Sequence, residues 1–112
     1  MAFIKNLEPS QAIAFKSLVE YGQGQVVSRT LSQNKHVSVT LFAFDSGEEI
    51  GTHASGGDAL VYILEGAARV TVGEGTHTVR EGDAILMPAQ ISHSLFAVER
   101  FKMLLTVVFP SD

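Results

Sequence analysis

Cysteine is absent from this chain, which excludes disulfides and thiolate chemistry. Its absence suits a reducing compartment, and a cytoplasmic location is the default expectation. Basic residues are sparse. Eight Lys and Arg stand against twelve Asp and Glu, a formal charge of −4, and no cluster of positive charge forms. Neutralising phosphates takes aligned Lys and Arg, so nucleic acid is not an expected partner. Apolar runs are short: none approaches membrane-spanning length, and no membrane partner is expected. The opening MAFIKNLEPS meets Glu8 and Pro9 before any long apolar stretch, unlike a signal peptide. Repeats, linkers and low-complexity tracts are missing, and helical periodicity nearly so.

What is present is a core. Hydrophobic residues make up 46% of the chain against 18% charged, which is a folding and not a disordered composition. The length of 112 residues suits one domain over 1–112, with residues 1–25 as an N-terminal extension packed on it. Up to Tyr21 the apolar residues follow neither period, and a short extended piece with one helical turn is expected. From Val26 the chain reads as strand after strand: Val26–Leu31, His36–Phe44, Glu48–His53, Leu60–Leu64, Ala68–Val72, Thr76–Arg80, Ala84–Met87, His93–Val98 and Lys102–Phe109. Turn residues separate them, with Glu65-Gly66 expected as a tight turn between two strands. Short strands and many turns predict an all-β barrel or sandwich with little helix. Several strands are apolar on both faces, including Phe42, Phe44, Leu104 and Val108. Either the N-terminal segment or a second copy must cover the outer face, and a homodimer is expected.

The stretch Gly47–Gly66, GEEIGTHASGGDALVYILEG, reaches His53 after five intervening residues and ends in Leu-Glu-Gly. It resembles the first motif of the cupin family, G-x5-H-x-H-x3,4-E-x6-G. The segment Gly82-x5-Pro88-Ala89-Gln90-x2-His93-x3-Ala97 resembles the second motif, G-x5-P-x-G-x2-H-x3-N. The resemblance implies a double-stranded β-helix, a jelly-roll-like barrel that is often homodimeric. In many cupins three histidines and a glutamate hold a metal inside the barrel. Carried over by position, His53 and His93 remain as metal ligands, while Ser55 stands at the second histidine, Ala59 at the glutamate and Gln90 at a glycine. A divalent transition metal held by two imidazoles alone is expected to bind weakly.

Other groups near the motifs have chemistry to offer. Asp58 precedes the missing glutamate, and strand alternation turns it to the other face. Gln90 carries an amide oxygen in the second motif's loop. Glu49 lies too far along its strand to share an ion with His53. His36 heads its strand near the Ser55–Gly57 loop, and both it and His77 read as surface residues. Tyr62 belongs to the face opposite the metal position, and Arg69, Arg80 and Arg100 read as solvated charges.

Three functional readings stay open. The first is a small-molecule-binding barrel with His53, Ser55, Gln90 and His93 as polar groups and Val61, Ile63, Ile85, Met87 and Leu95 as apolar ones. The second is a metal-dependent enzyme of dioxygenase or isomerase type, with His53 and His93 as ligands and Asp58, Gln90 or water completing the set. The third is a metal-free acid–base enzyme with either histidine as base. In the absence of any ligand, the two histidines are partly buried polar residues bonded to each other, to Ser55 or to water.

Overall fold

Ala59, Val61 and Ile63 alternate with Leu60, Tyr62 and Leu64, the pattern of a strand with two distinct faces. In the computed structural model, which describes residues 3–111, this strand continues without reversal from Asp58 to Val72. Residues 1, 2 and 112 of the expected domain and extension lie outside the described residues. In chain order the strands are β1 Val26–Gln33, β2 Val37–Phe44, β3 Glu49–His53, β4 Asp58–Val72, β5 Gly75–Arg80, β6 Ala84–Met87, β7 His93–Phe96 and β8 Phe101–Val108. Every pairing is antiparallel. The first half of β4 lies between β8 and β6, and its second half between β7 and β5. One long strand therefore joins two sheets, β1-β2-β8-β4-β6 and β5-β4-β7-β3. This is the all-β, jelly-roll-like architecture that the sequence predicts.

The change of sheet occurs at Glu65-Gly66, and here the expectation of a tight turn is corrected. The register slips between Ile63 and Glu65, and Gly66 has a φ of +78°. A bulge with a left-handed glycine bends the strand without reversing it. The backbone groups freed there are taken up by the β5–β6 turn. Glu81 N donates to Gly66 O at 3.0 Å, Gly82 N to Ile63 O at 2.9 Å, and Ile63 N to Asp83 O at 3.0 Å. After the bulge the inward parity changes from Val61 and Ile63 to Ala68 and Val70.

Two apolar clusters result. The interior holds Phe44, Ile63, Val70, Leu95, Phe101 and Met103, with the Phe44 and Phe101 rings stacked at 4.4 Å between centroids. The second cluster lies on the outer face of β1 and β2, where Leu31, Leu41 and Ala43 are buried. Leu7, Phe15, Leu18, Val19 and Tyr21 cover it. Polar contacts fasten this cover: Lys5 N to Leu31 O at 2.7 Å, Arg29 Nη1 to Leu18 O at 3.0 Å, and Tyr21 OH to Glu65 Oε2 at 2.6 Å. Its one helical turn is a 3-10 turn at Phe15–Ser17, and no α-helix occurs among the described residues. No helix there is long and apolar enough to cross a membrane.

The four residues behind the dimer expectation fall in different places. Phe42 and Phe44 face the interior, Leu104 lies under the N-terminal cover, and Val108 is exposed. Val108 shares the outer face with exposed Leu60, Tyr62 and Leu86, of which Leu60 and Leu86 are cross-strand partners.

Candidate functional site

β3 and β7 are neighbours, and an irregularity in β3 after Ile50 brings His53 directly opposite His93. The two rings meet edge to face at 4.3 Å between centroids, with Nε2 to Nε2 at 3.1 Å. Each ring also turns its Nδ1 to the carbonyl two residues earlier. His53 Nδ1 is 2.9 Å from Gly51 O, and His93 Nδ1 is 3.3 Å from Ile91 O. His93 is 3% exposed, whereas His53 reaches solvent.

The pair caps a cavity of about 230 Å³. Its walls are Ile50, Met87, Leu95, Met103, Leu105 and Val107, with Ser55 and the two histidines as its polar end. Ala54 and Ala59 complete the lining. Ser55 Oγ accepts the Gly57 N–H at 3.2 Å. Ser55 O accepts the Gln90 N–H at 2.9 Å, which ties the loops of the two motifs together. Gln90 has a φ of +69°, the left-handed conformation that suits the glycine usual at this place.

The site residues named from the sequence divide by position. His53, Ser55, Met87, His93 and Leu95 line the cavity together. Val61 and Ile63 are fully buried in the packed interior away from its lining. Ile85 borders a separate open depression with His77 and Asp83. Gln90 is exposed and meets the site only through its backbone. Asp58 accepts the Ala89 N–H at 2.8 Å and so braces the loop outside the cavity. Tyr62 is on the outer face, and His36 and His77 are exposed. Arg100 pairs with Asp45 at 2.9 Å, and Arg69 lies over the Phe96 ring at 5.5 Å.

Ile50, Met103, Leu105 and Val107 also line the cavity, and neither motif points to them. A usable signal existed for β8: Lys102 and Thr106 mark its outward parity, which leaves Met103, Leu105 and Val107 inward.

The donor set falls short of a resident metal centre. Protein sites for zinc and its neighbours supply three or four ligands, and two imidazole nitrogens converge here. Among the described residues no group of three or more His, Cys, Asp or Glu could hold an ion. Ser55 offers a hydroxyl, and Ala59 offers no donor.

Burial lowers the pKa of His93 below its ordinary 6.5, the neighbouring His53 lowers it further, and the Ile91 carbonyl partly opposes both. The folded protein therefore binds this proton less readily than the unfolded chain. Between the two pKa values the unfolded state holds more protons, so stability falls as pH drops below about 6.5. Urea unfolding should show a lower midpoint at about pH 5.5 than at about pH 7.5, and His93→Gln should shrink the difference. An unchanged difference in that variant would assign the pH dependence elsewhere.

Comparison with known proteins agrees with the geometry. The family model for the cupin domain matches residues 40–109. A conserved Streptococcus pyogenes protein of unknown function has a crystal structure 46% identical to this chain. It covers 100% of this chain and 98% of its own, with a TM-score of 0.97. A cupin superfamily protein from Desulfitobacterium hafniense is 32% identical over 97% of this chain and 100% of its own, with a TM-score of 0.92. An uncharacterized Streptomyces coelicolor protein is 26% identical over 80 residues, 71% of this chain and 76% of its own.

Proposed function

The chain belongs to the cupin family, and on that premise we propose that it is a small-molecule-binding barrel whose ligand occupies the cavity under His53 and His93. One observation carries the reading. The cavity is apolar along its walls and polar at one end, which is how small-molecule sites are built. The walls hold the body of a ligand by burial, and the polar end orients it.

Met87 and Met103 stand on the walls, so their methyl groups report directly on occupancy. A set of one-ring aromatic and short aliphatic compounds, added to protein with labelled methionine methyls, should shift both resonances. Leu105→Trp, which fills the space, should abolish the shifts. The reading fails if no compound of the set moves either methyl at millimolar concentration.

A second reading is a metal-dependent cupin enzyme of dioxygenase or isomerase type. It is favoured by the convergence of two Nε2 atoms at 3.1 Å. Under it the metal is weak, completed by water or a ligand oxygen, and lost on dialysis.

We also propose that the protein is a homodimer. Leu60, Tyr62, Leu86 and Val108 form an apolar stretch on the outer face that the N-terminal segment leaves open. A symmetric contact of this face with its own copy would bury it. Light scattering at micromolar concentration should give the dimer mass, and Leu86→Arg should halve it. A monomeric wild type would remove the proposal.

A further inference from the structure

The hydrogens at the histidine pair do not add up. Gly51 O and Ile91 O are carbonyls, which only accept, so each Nδ1 must carry its ring's hydrogen. A neutral imidazole carries one. Both Nε2 atoms are then bare acceptors, yet they lie 3.1 Å apart. The three contacts need three ring hydrogens, and two neutral rings own two. Two lone pairs at this distance repel each other unless a donor satisfies them.

There are few sources for the missing hydrogen. A proton shared by the pair would leave positive charge beside His93, 3% exposed against an apolar wall, although His53 reaches solvent. Among the described residues no carboxylate lines the cavity to balance it: Asp58 is engaged by the Ala89 N–H, and Glu49 is exposed on β3. Moving one ring hydrogen to Nε2 would abandon a carbonyl bond. An outside O–H group costs neither. An oxygen about 2.8 Å from both nitrogens can share its hydrogen between them. Water can take that place in the free protein, and a guest hydroxyl then replaces it.

We propose that the guest of this cavity is a phenol-type molecule, about one ring in size, whose hydroxyl donates to the Nε2 atoms of His53 and His93. The inference rests on the cavity being a ligand site. Size fits, since a cavity of about 150 Å³ suffices for benzene and this one has about 230 Å³. The walls fit, since the thioethers of Met87 and Met103 make favourable contacts with aromatic rings. The polar end fits a hydroxyl in particular. Ser55 Oγ accepts from Gly57 N, which leaves its own O–H to donate to the guest oxygen. The guest group must therefore both donate and accept, as a hydroxyl does and an ether does not.

The test compares phenol, anisole and toluene on protein stripped of metal with a chelator, read by the Met87 and Met103 methyl shifts. Phenol should bind at least about tenfold more tightly than either of the others, the scale of one well-made hydrogen bond. His53→Phe should reduce that preference by leaving the His93 Nε2 as sole acceptor, and His53→Phe combined with His93→Phe should erase it while toluene still binds. Equal affinity for the three probes overturns the proposal and leaves the cavity as a ligand site. Binding of none overturns the site itself. A phenol preference that appears only with added zinc also overturns it, because the metal would then be the partner. Nitrogen spectra of the histidine rings give an independent check. Both rings of the free protein should carry hydrogen on Nδ1 at neutral pH, and an Nε2–H ring would close the pair and remove the reason for the guest.

Discussion

Ser55→His combined with Ala59→Glu is expected to raise affinity for a divalent transition metal by about a hundredfold or more. The two substitutions restore the groups missing from the cupin pattern. They also enter a site whose geometry is already close. Nitrogen ligands at about 2.0–2.1 Å in a tetrahedral site lie roughly 3.3 Å from each other. His53 and His93 hold their Nε2 atoms at 3.1 Å. Ala59 is buried on the cavity wall opposite Met87 and Val107, and Ser55 stands at the polar end. An imidazole and a carboxylate added there would bring the ligand count from two to four. The carboxylate has a cost when no metal is present, because it is buried without a partner. The metal-free double variant should therefore melt below the wild type, and zinc should raise its midpoint. Equilibrium titration against a competing chelator measures the gain. No gain would mean that the four positions do not converge and that the family pattern stops short of this site. Stoichiometric, tightly held metal in the wild type would mean a ligand has been missed, and Asp58 and Gln90 would be the first to replace.

The framework of this fold was legible because its signals are local. Gly47, Gly73 and Gly82 mark turns, and the β-branched and aromatic runs between turns mark strands. Two features were not legible, each for a different reason. Leu-Glu-Gly signals a left-handed glycine, which serves a hairpin or a bulge equally well. The partners that decide for the bulge, Glu81 to Asp83, lie fifteen or more residues away in the chain. The N-terminal cover follows neither the helical nor the strand period, since it is laid over β1 and β2 in irregular pieces with one 3-10 turn. Its apolar residues make sense only against Leu31 and Leu41, which alternation on β1 and β2 cannot distinguish from an interior face.

The site was read in part for a similar reason. His53, His93, Ser55 and Ala59 could be placed by their spacing in the motifs. The wall from Met103 to Val107 could not, because β8 belongs to neither motif: Lys102 and Thr106 give its inward face, but its place beside the histidines depends on pairing with β2 and β4. Val61 and Ile63 had the right parity but the wrong depth: they point inward at a level filled by packed side chains. Parity can be read from a pattern, whereas depth requires the register of the neighbouring strand.

Gly66→Ala is expected to cost about 3 kcal/mol or more of stability, a large part of the roughly 5–15 kcal/mol available to a small domain. Two terms add. At a φ of +78° any side chain meets a dihedral cost of about 1–2 kcal/mol. The second term is steric. A β-carbon on Gly66 would collide with the carbonyl oxygen of Arg100 and come within 3.0 Å of the Phe101 α-carbon. These are backbone atoms where β8 begins, so no side-chain rotation relieves the clash. The strand cannot easily retreat either, because Gly66 O and Ile63 O are held by Glu81 N and Gly82 N. Gly47 isolates the first term. It has a φ of +87° with open space around the added carbon, so Gly47→Ala should cost only about 1–2 kcal/mol. Urea unfolding of the two variants separates dihedral strain from collision. If Gly66→Ala loses no more than Gly47→Ala, β4 does not approach the start of β8 so closely, and the two sheets are joined less tightly at the bulge than this geometry requires.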